Sequence, residues 1–105
     1  MSREDPFISC VIPAYNEAEN IPLFIPALAK NLTELGVRFE FIVVDDGSKD
    51  NTYKMVSEEF QNHSKMKIFT KVNGGKATAL NFGIEKSDAE YVVCIDADTK
   101  LEQNA

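Results

Sequence analysis

An α/β fold, Rossmann-like in its β-α-β-α-β-α-β order, is what this sequence predicts, with a mostly parallel sheet and helices on both faces. Two observations carry that prediction. Four short apolar runs alternate with segments of helical periodicity, the pattern that builds parallel sheets from right-handed crossovers. Each apolar run also ends in polar or glycine-bearing residues, as strands opening onto a common ligand-binding rim do.

The first run, Phe7 to Pro13, is β-rich and bounded by prolines, and reads as a buried strand. A polar loop from Ala14 to Asn20 follows, with Asn20 as N-cap and Pro22 in the first turn. Ile21, Phe24, Ile25, Leu28, Leu32 and Leu35 recur at helical spacing until Gly36 ends the segment. Pro26 lies inside it and removes a hydrogen bond at roughly 3 kcal/mol, so a late helix start or a kink is expected. Phe39 to Val44 is a second strand running into Asp45-Asp46-Gly47-Ser48. The next helix is capped by Ser48 or Asp50, with Tyr53, Val56 and Phe60 facing inward. Met66 to Val72 is a third strand with its lysines alternating outward. The loop Asn73-Gly74-Gly75-Lys76 precedes a helix carrying Ala77, Leu80 and Ile84. Tyr91 to Ile95, apolar throughout, is a fourth buried strand that delivers Asp96-Ala97-Asp98.

At 105 residues, 44% hydrophobic and 27% charged, the chain fits one globular domain with a single core. No apolar run reaches the length of a membrane span and no signal-peptide pattern opens the sequence, so this segment is expected to be soluble. The net charge of −6, with lysines and arginines scattered, argues against nucleic acid as a partner. An acidic protein that binds an anionic diphosphate needs a cation between them. Cys10 and Cys94 lie in apolar runs without metal-ligand spacing and are expected to be buried, which fits a reducing, cytoplasmic setting. His63, in a polar stretch, is given no role.

Asp96 and Asp98 are two apart, and in extended chain their carboxylates face the same way. Two close like charges favour a shared cation, and hard oxygen ligands suit Mg or Mn. The simpler reading is a solvated turn with Asp98 or Thr99 capping a helix. The Asp45-Asp46-Gly47-Ser48 stretch has a cap's residues, yet a cap needs one acceptor and two aspartates supply a surplus. Such a carboxylate can accept from a base N–H or a ribose hydroxyl. The Asn73-Gly74-Gly75-Lys76 loop lacks Walker spacing and reads equally as a flexible turn with an exposed lysine or as a diphosphate contact, since its glycines allow close approach and Lys76 adds positive charge at a helix start. On the first rim loop, Tyr15 could stack on a flat base or simply pack.

Taken together, Val11 to Glu17 (VIPAYNE), Ile42 to Ser48 (IVVDDGS), Asn73 to Asn81 (NGGKATALN) and Asp96-Ala97-Asp98 resemble the family 2 glycosyltransferases, in order and over nearly the whole chain. The Gly-Gly-Lys and Ala-Leu-Asn signature is most similar to processive membrane synthases of N-acetylglucosamine polymers, hyaluronan and cellulose. The resemblance implies the N-terminal half of a GT-A fold, a UDP-sugar donor, a glycan acceptor and inversion at the anomeric carbon. It implies donor binding by Pro13, Tyr15, Glu17, Asp45, Asp46, Lys76 and Asp96, and metal binding by Asp96 and Asp98. Tyr15 would meet the uracil, Asp46 would bind it with Asp45 in support, and Lys76 would approach the diphosphate. In the family the acceptor side and its catalytic base lie C-terminal to these motifs. Residues 1–105 are therefore expected to form one nucleotide-sugar-binding domain of a larger catalytic domain, with little turnover alone, in a parent that could be a membrane protein with this domain on the cytoplasmic face. A cut sheet would leave an edge prone to self-association. Two other classes fit less well. A receiver-type signalling domain would need an acidic pair after its first strand, where Pro13-Ala14-Tyr15-Asn16 stands. A UDP-binding module without catalytic activity would lack the partner half.

Overall fold

The computed structural model describes residues 7–60 and 65–96. Strands β1 (Ile8–Ala14), β2 (Phe39–Asp46), β3 (Met66–Lys71) and β4 (Tyr91–Cys94) alternate with helices α1 (Ile21–Glu34), α2 (Thr52–Glu59) and α3 (Lys76–Glu85). All four strands are parallel, in the order β3-β2-β1-β4. The first two crossovers step outward from β1 to β2 to β3, and the third jumps back across the sheet to the far side of β1. A right-handed crossover that reverses direction must lay its helix on the opposite face. Two cores result. Cys10, Ile12, Phe41 and Val43 pack beneath Ile21, Phe24, Ile25 and Leu28 of α1 and Val56 of α2. Val11, Ile42 and Val44 pack beneath Ala79 of α3 on the other side. The reversal opens a crevice between the carboxyl ends of β1 and β4, where open α/β sheets receive ligands.

On that second face α3 comes unusually close. A Cβ built on Gly83 would lie 2.4 Å from Val11 Cγ1 and 3.2 Å from Val44 Cγ2, so glycine sets the spacing between helix and sheet. The inward residues of α3 are Ala79 and Gly83, flanked by Leu80 and Phe82, whereas Ala77 and Ile84 are exposed. The Phe82 ring packs edge-on against Phe69 of β3 at 5.6 Å.

Several expectations need correction. The strand β4 is not buried: all four of its residues are exposed, and among the described residues β4 forms an edge of the sheet. Cys94 is exposed with it, while Cys10, on the central strand, is buried as expected. The tie to β1 is otherwise regular, with Tyr91 N donating to Phe7 O and Ile95 N to Val11 O, both at 3.0 Å. Helix α1 does not start late: it begins at Ile21 and contains Pro26. Pro26 faces solvent, so water can reach the Pro22 carbonyl that it leaves without a donor. Asn20 makes no side-chain cap, since its amide donates to Glu17 Oε2 at 2.6 Å. Leu35 falls past the end of α1 and is 73% exposed, and Gly36 takes the positive φ of 73° that closes the helix. Tyr53 points outward, because the packed face of α2 is Thr52, Met55, Val56 and Phe60. Among the described residues no helix is long and apolar enough to cross a membrane.

Candidate functional site

Three of the four rim loops are tied to one another, and residue alternation along β2 decides how. Successive side chains of a strand face opposite ways. Asp45 therefore falls on the α1/α2 side and Asp46 on the α3 side. Asp45 is buried and its carboxylate closes the turn below it, accepting from Ser48 N at 3.2 Å, from the Ser48 hydroxyl, and from Thr70 Oγ1 at 3.2 Å. Gly47 takes a φ of 69°, and a Cβ there would stand 2.7 Å from Asn73 N, so the β2–α2 turn and the β3–α3 loop touch backbone to backbone.

Asp46, the neighbour on the other face, organises the glycine loop. Its Oδ1 accepts from Lys71 Nζ at 2.6 Å and Gly74 N at 3.0 Å, and its Oδ2 accepts from Gly75 N at 2.9 Å. The Asn73 amide donates to the Asp46 carbonyl at 3.0 Å. Burial disfavours the charged form of Asp46, but the Lys71 ammonium and the two glycine N–H groups outweigh it and hold the carboxyl below its usual value of 3.8. Lys71 is the partner that alternation along β3 misread as an outward lysine. It is paired with Asp46 in the strand register and its side chain is only 16% exposed.

The loop after β1 is joined to the turn after β2 by Asn16. This residue takes a φ of 54°, a left-handed conformation that asparagine tolerates better than most. Its Oδ1 accepts from Lys49 N at 2.8 Å and Asp50 N at 3.3 Å, while its own N–H donates to Ser48 Oγ at 2.8 Å. Glu17 N donates to Thr52 Oγ1 at 3.0 Å. Asp50 holds the start of α2 by accepting from Thr52 N at 3.0 Å and from the Thr52 hydroxyl. Neither residue expected to cap α2 is its N-cap: that position is Asn51, which makes no side-chain cap, while Asp50 accepts from Thr52 N one residue farther back and Ser48 serves the Asp45 turn. The composition of the Asn16 and Thr52 positions gave no hint of these long-range bonds.

A cleft of about 380 Å³ lies over this rim. Of the eight residues singled out from the sequence, Pro13, Tyr15, Glu17, Asp46, Lys76 and Asp96 line it, together with Ala14, Asn73 and Gly75. Asp45 does not, for the reason given by its face. Asp98 lies outside the described residues, as does His63. Tyr15 lines the cleft and is 43% exposed. Lys76, first residue of α3, forms an ion pair with Asp96 across the cleft, and both side chains remain about half exposed.

Asp96 thus offers a hard carboxylate oxygen at the cleft. Among the described residues no group of three or more His, Cys, Asp or Glu is placed to hold a metal. One carboxylate fits a hard divalent cation that completes its shell with water and substrate phosphate.

The profile of glycosyl transferase family 2 matches residues 9–105. Poly-beta-1,6-N-acetyl-D-glucosamine synthase of Staphylococcus epidermidis is 39% identical over 98 residues, covering 93% of this chain and 23% of that protein. The chain therefore spans about a quarter of the length of such relatives. Among solved structures, the mannosyltransferase PcManGT of Pyrobaculum calidifontis, in complex with GDP-Man and Mn²⁺, superposes with a TM-score of 0.73 at 30% identity, covering 90% of this chain and 28% of that one. TarS of S. aureus in complex with UDP-GlcNAc gives 0.72 at 32% identity over 87% and 26% of the two chains. The parallel sheet with helices on both faces is that of the GT-A glycosyltransferases, and the chain belongs to glycosyl transferase family 2.

Proposed function

We propose that this chain is the donor-binding part of a metal-dependent, inverting glycosyltransferase that takes a UDP-linked hexose, N-acetylglucosamine being the first candidate, and serves a glycan acceptor. The observation that carries this reading is the convergence of Tyr15, Asp46, Lys76 and Asp96 on one cleft at the strand-order reversal. The likeness to a protein whose structure holds UDP-GlcNAc and to an N-acetylglucosamine polymer synthase supports the choice of donor. Two free cysteines support a reducing, cytoplasmic setting for this segment.

In this reading Tyr15 stacks on the uracil in the cleft and Asp46 accepts a hydrogen bond from it. Pro13 and Glu17 shape the same wall, and Asp45 holds the turn that carries Asp46. The donor's diphosphate lies at the start of α3, where free backbone N–H groups and Lys76 favour an anion. Lys76 then exchanges its Asp96 partner for a phosphate oxygen. Asp96 and Asp98 would hold Mg²⁺ or Mn²⁺, whose chemistry is Lewis-acid stabilisation of the leaving diphosphate. The acceptor hydroxyl attacks the anomeric carbon in a single displacement and UDP departs. Proton removal by a positioned base typically contributes about 10²–10⁴-fold. That base lies in the remainder of the catalytic domain, so residues 1–105 alone turn over little.

Calorimetry tests the reading. UDP should bind with an affinity that rises when Mn²⁺ or Mg²⁺ is added and falls on chelation, and Asp98→Ala should abolish the metal-dependent part. Unchanged UDP affinity in Asp98→Ala with Mn²⁺ would sink the metal assignment. Efficient sugar transfer by this chain alone would refute the division of labour.

A further inference from the structure

Lys71, with a side chain only 16% exposed, is more enclosed than Lys76, and its bonding accounts for all of its donors. An ammonium has three N–H groups. Lys71 Nζ gives one to Asp46 Oδ1 at 2.6 Å, one to Val72 O at 2.7 Å and one to Thr78 Oγ1 at 2.9 Å. None remains for a phosphate, which separates Lys71 from the half-exposed Lys76. The Thr78 hydroxyl passes the connection on to Gly75 O at 2.8 Å. A Cβ on Gly74 would stand 2.8 Å from Thr78 Oγ1 and 3.1 Å from Lys71 Nζ, so the cage closes around the ammonium.

The acceptor side of the pair can be counted in the same way. Each carboxylate oxygen accepts up to two hydrogen bonds. Among the described residues, Asp46 Oδ1 takes Lys71 Nζ and Gly74 N, and is full. Oδ2 takes Gly75 N and keeps one open position. A free carboxylate would instead offer acceptor positions on both oxygens, the arrangement that meets two adjacent donors at once.

We infer that Lys71 is a positioning residue that sets base selectivity: by filling Asp46 Oδ1 it leaves one acceptor, which matches a base edge with a single N–H donor and rejects one with two. Uracil presents one imide N–H. Guanine presents adjacent ring N–H and amino donors, and the second would be desolvated without a partner. The inference rests on reading the cleft as a nucleoside-diphosphate site with Asp46 at the base.

The test compares UDP and GDP binding by calorimetry in the wild-type chain, Lys71→Met and Thr78→Val. The wild type should prefer UDP, and Lys71→Met should lower that preference roughly tenfold by opening Oδ1. Thr78→Val removes an anchor of Lys71 without touching Asp46, and should shift the preference the same way by less. Amide exchange in nucleotide-free protein should quicken at Gly74 and Gly75 in Lys71→Met. A folded Lys71→Met that binds both nucleotides more weakly but in the wild-type ratio overturns the inference and leaves the nucleotide site standing. If Lys71→Met does not fold, an unchanged ratio in Thr78→Val does the same. A wild-type chain that binds neither nucleotide removes the reading of the cleft, and the inference with it.

Discussion

Strand β2 carries two buried carboxylates that each reach a lysine of β3, one at either end of the sheet, and the pair differ in what they hold. Glu40 accepts from Ser9 Oγ at 2.6 Å and pairs with Lys67 at 3.0 Å, and Ser87 Oγ donates to Ser9 Oγ at 2.6 Å. Those bonds are all between side chains, and they pin the exit of α3 to β1 and β2. Asp46 pairs with Lys71 but also accepts two backbone N–H groups of the loop that enters α3. One carboxylate fastens a helix end; the other sets the shape of a loop that lines the cleft. Similar ion pairs thus separate into a support and a piece of the site, according to whether main chain takes part.

Breaking the second pair should do the most damage. Asp46→Ala leaves the Lys71 ammonium buried without its carboxylate, and a loss of about 3 kcal/mol in urea denaturation is expected. Nucleotide binding should disappear with it. Midway between the two pairs, Gly83→Ala should cost about 1–3 kcal/mol by pushing α3 away from Val11. That variant should weaken nucleotide binding only modestly, and a total loss would mean that α3 spacing, not Asp46, governs the loop. At the other end, Glu40→Gln should cost about 1–2 kcal/mol, since the Lys67 side chain is half exposed and can turn to water. UDP affinity should stay at the wild-type value, and a drop would erase the distinction between the two pairs.

Acidity separates the regions further. The Asp46 carboxyl titrates below its unfolded value of 3.8, so its contribution is complete above that value and disappears as pH falls through the lower, folded one. Acid titration of Asp46→Asn should therefore show a shallower loss of stability below about pH 4 than the wild type does. The smallest effect concerns the thiols. Burial, reinforced by the charge of Glu40, pushes the Cys10 thiol up to about 11, whereas Cys94 is exposed on the edge strand. Native protein should lose one thiol quickly to iodoacetamide near pH 8 and the second only after denaturation.

The element order was legible because four β-rich runs and the periodic segments between them leave little choice of secondary structure. The core strands β1 and β2 read correctly for the same reason. The exposure of Tyr91 to Cys94 did not, since an apolar run resembles a strand covered on both sides, and only the strand order places it at an edge. The rim loops were legible as a set, because ligand chemistry after parallel strands is a local pattern. Lys71 was hidden. Alternation tells which face a residue takes, but not whether a neighbouring strand brings an aspartate to that face in register. The contrast between Asp45 and Asp46 was available from period-two alternation, and the structure supplies what each face meets.

The Asn16 contacts carry a thermodynamic consequence. Because that side chain bonds the main chain of Lys49 and Asp50, the first two rim loops lose their independent motion when the chain folds. A nucleotide docking at Tyr15 as proposed would then meet a surface whose ordering entropy is already accounted for, so its affinity would not be reduced by a rearrangement of those loops.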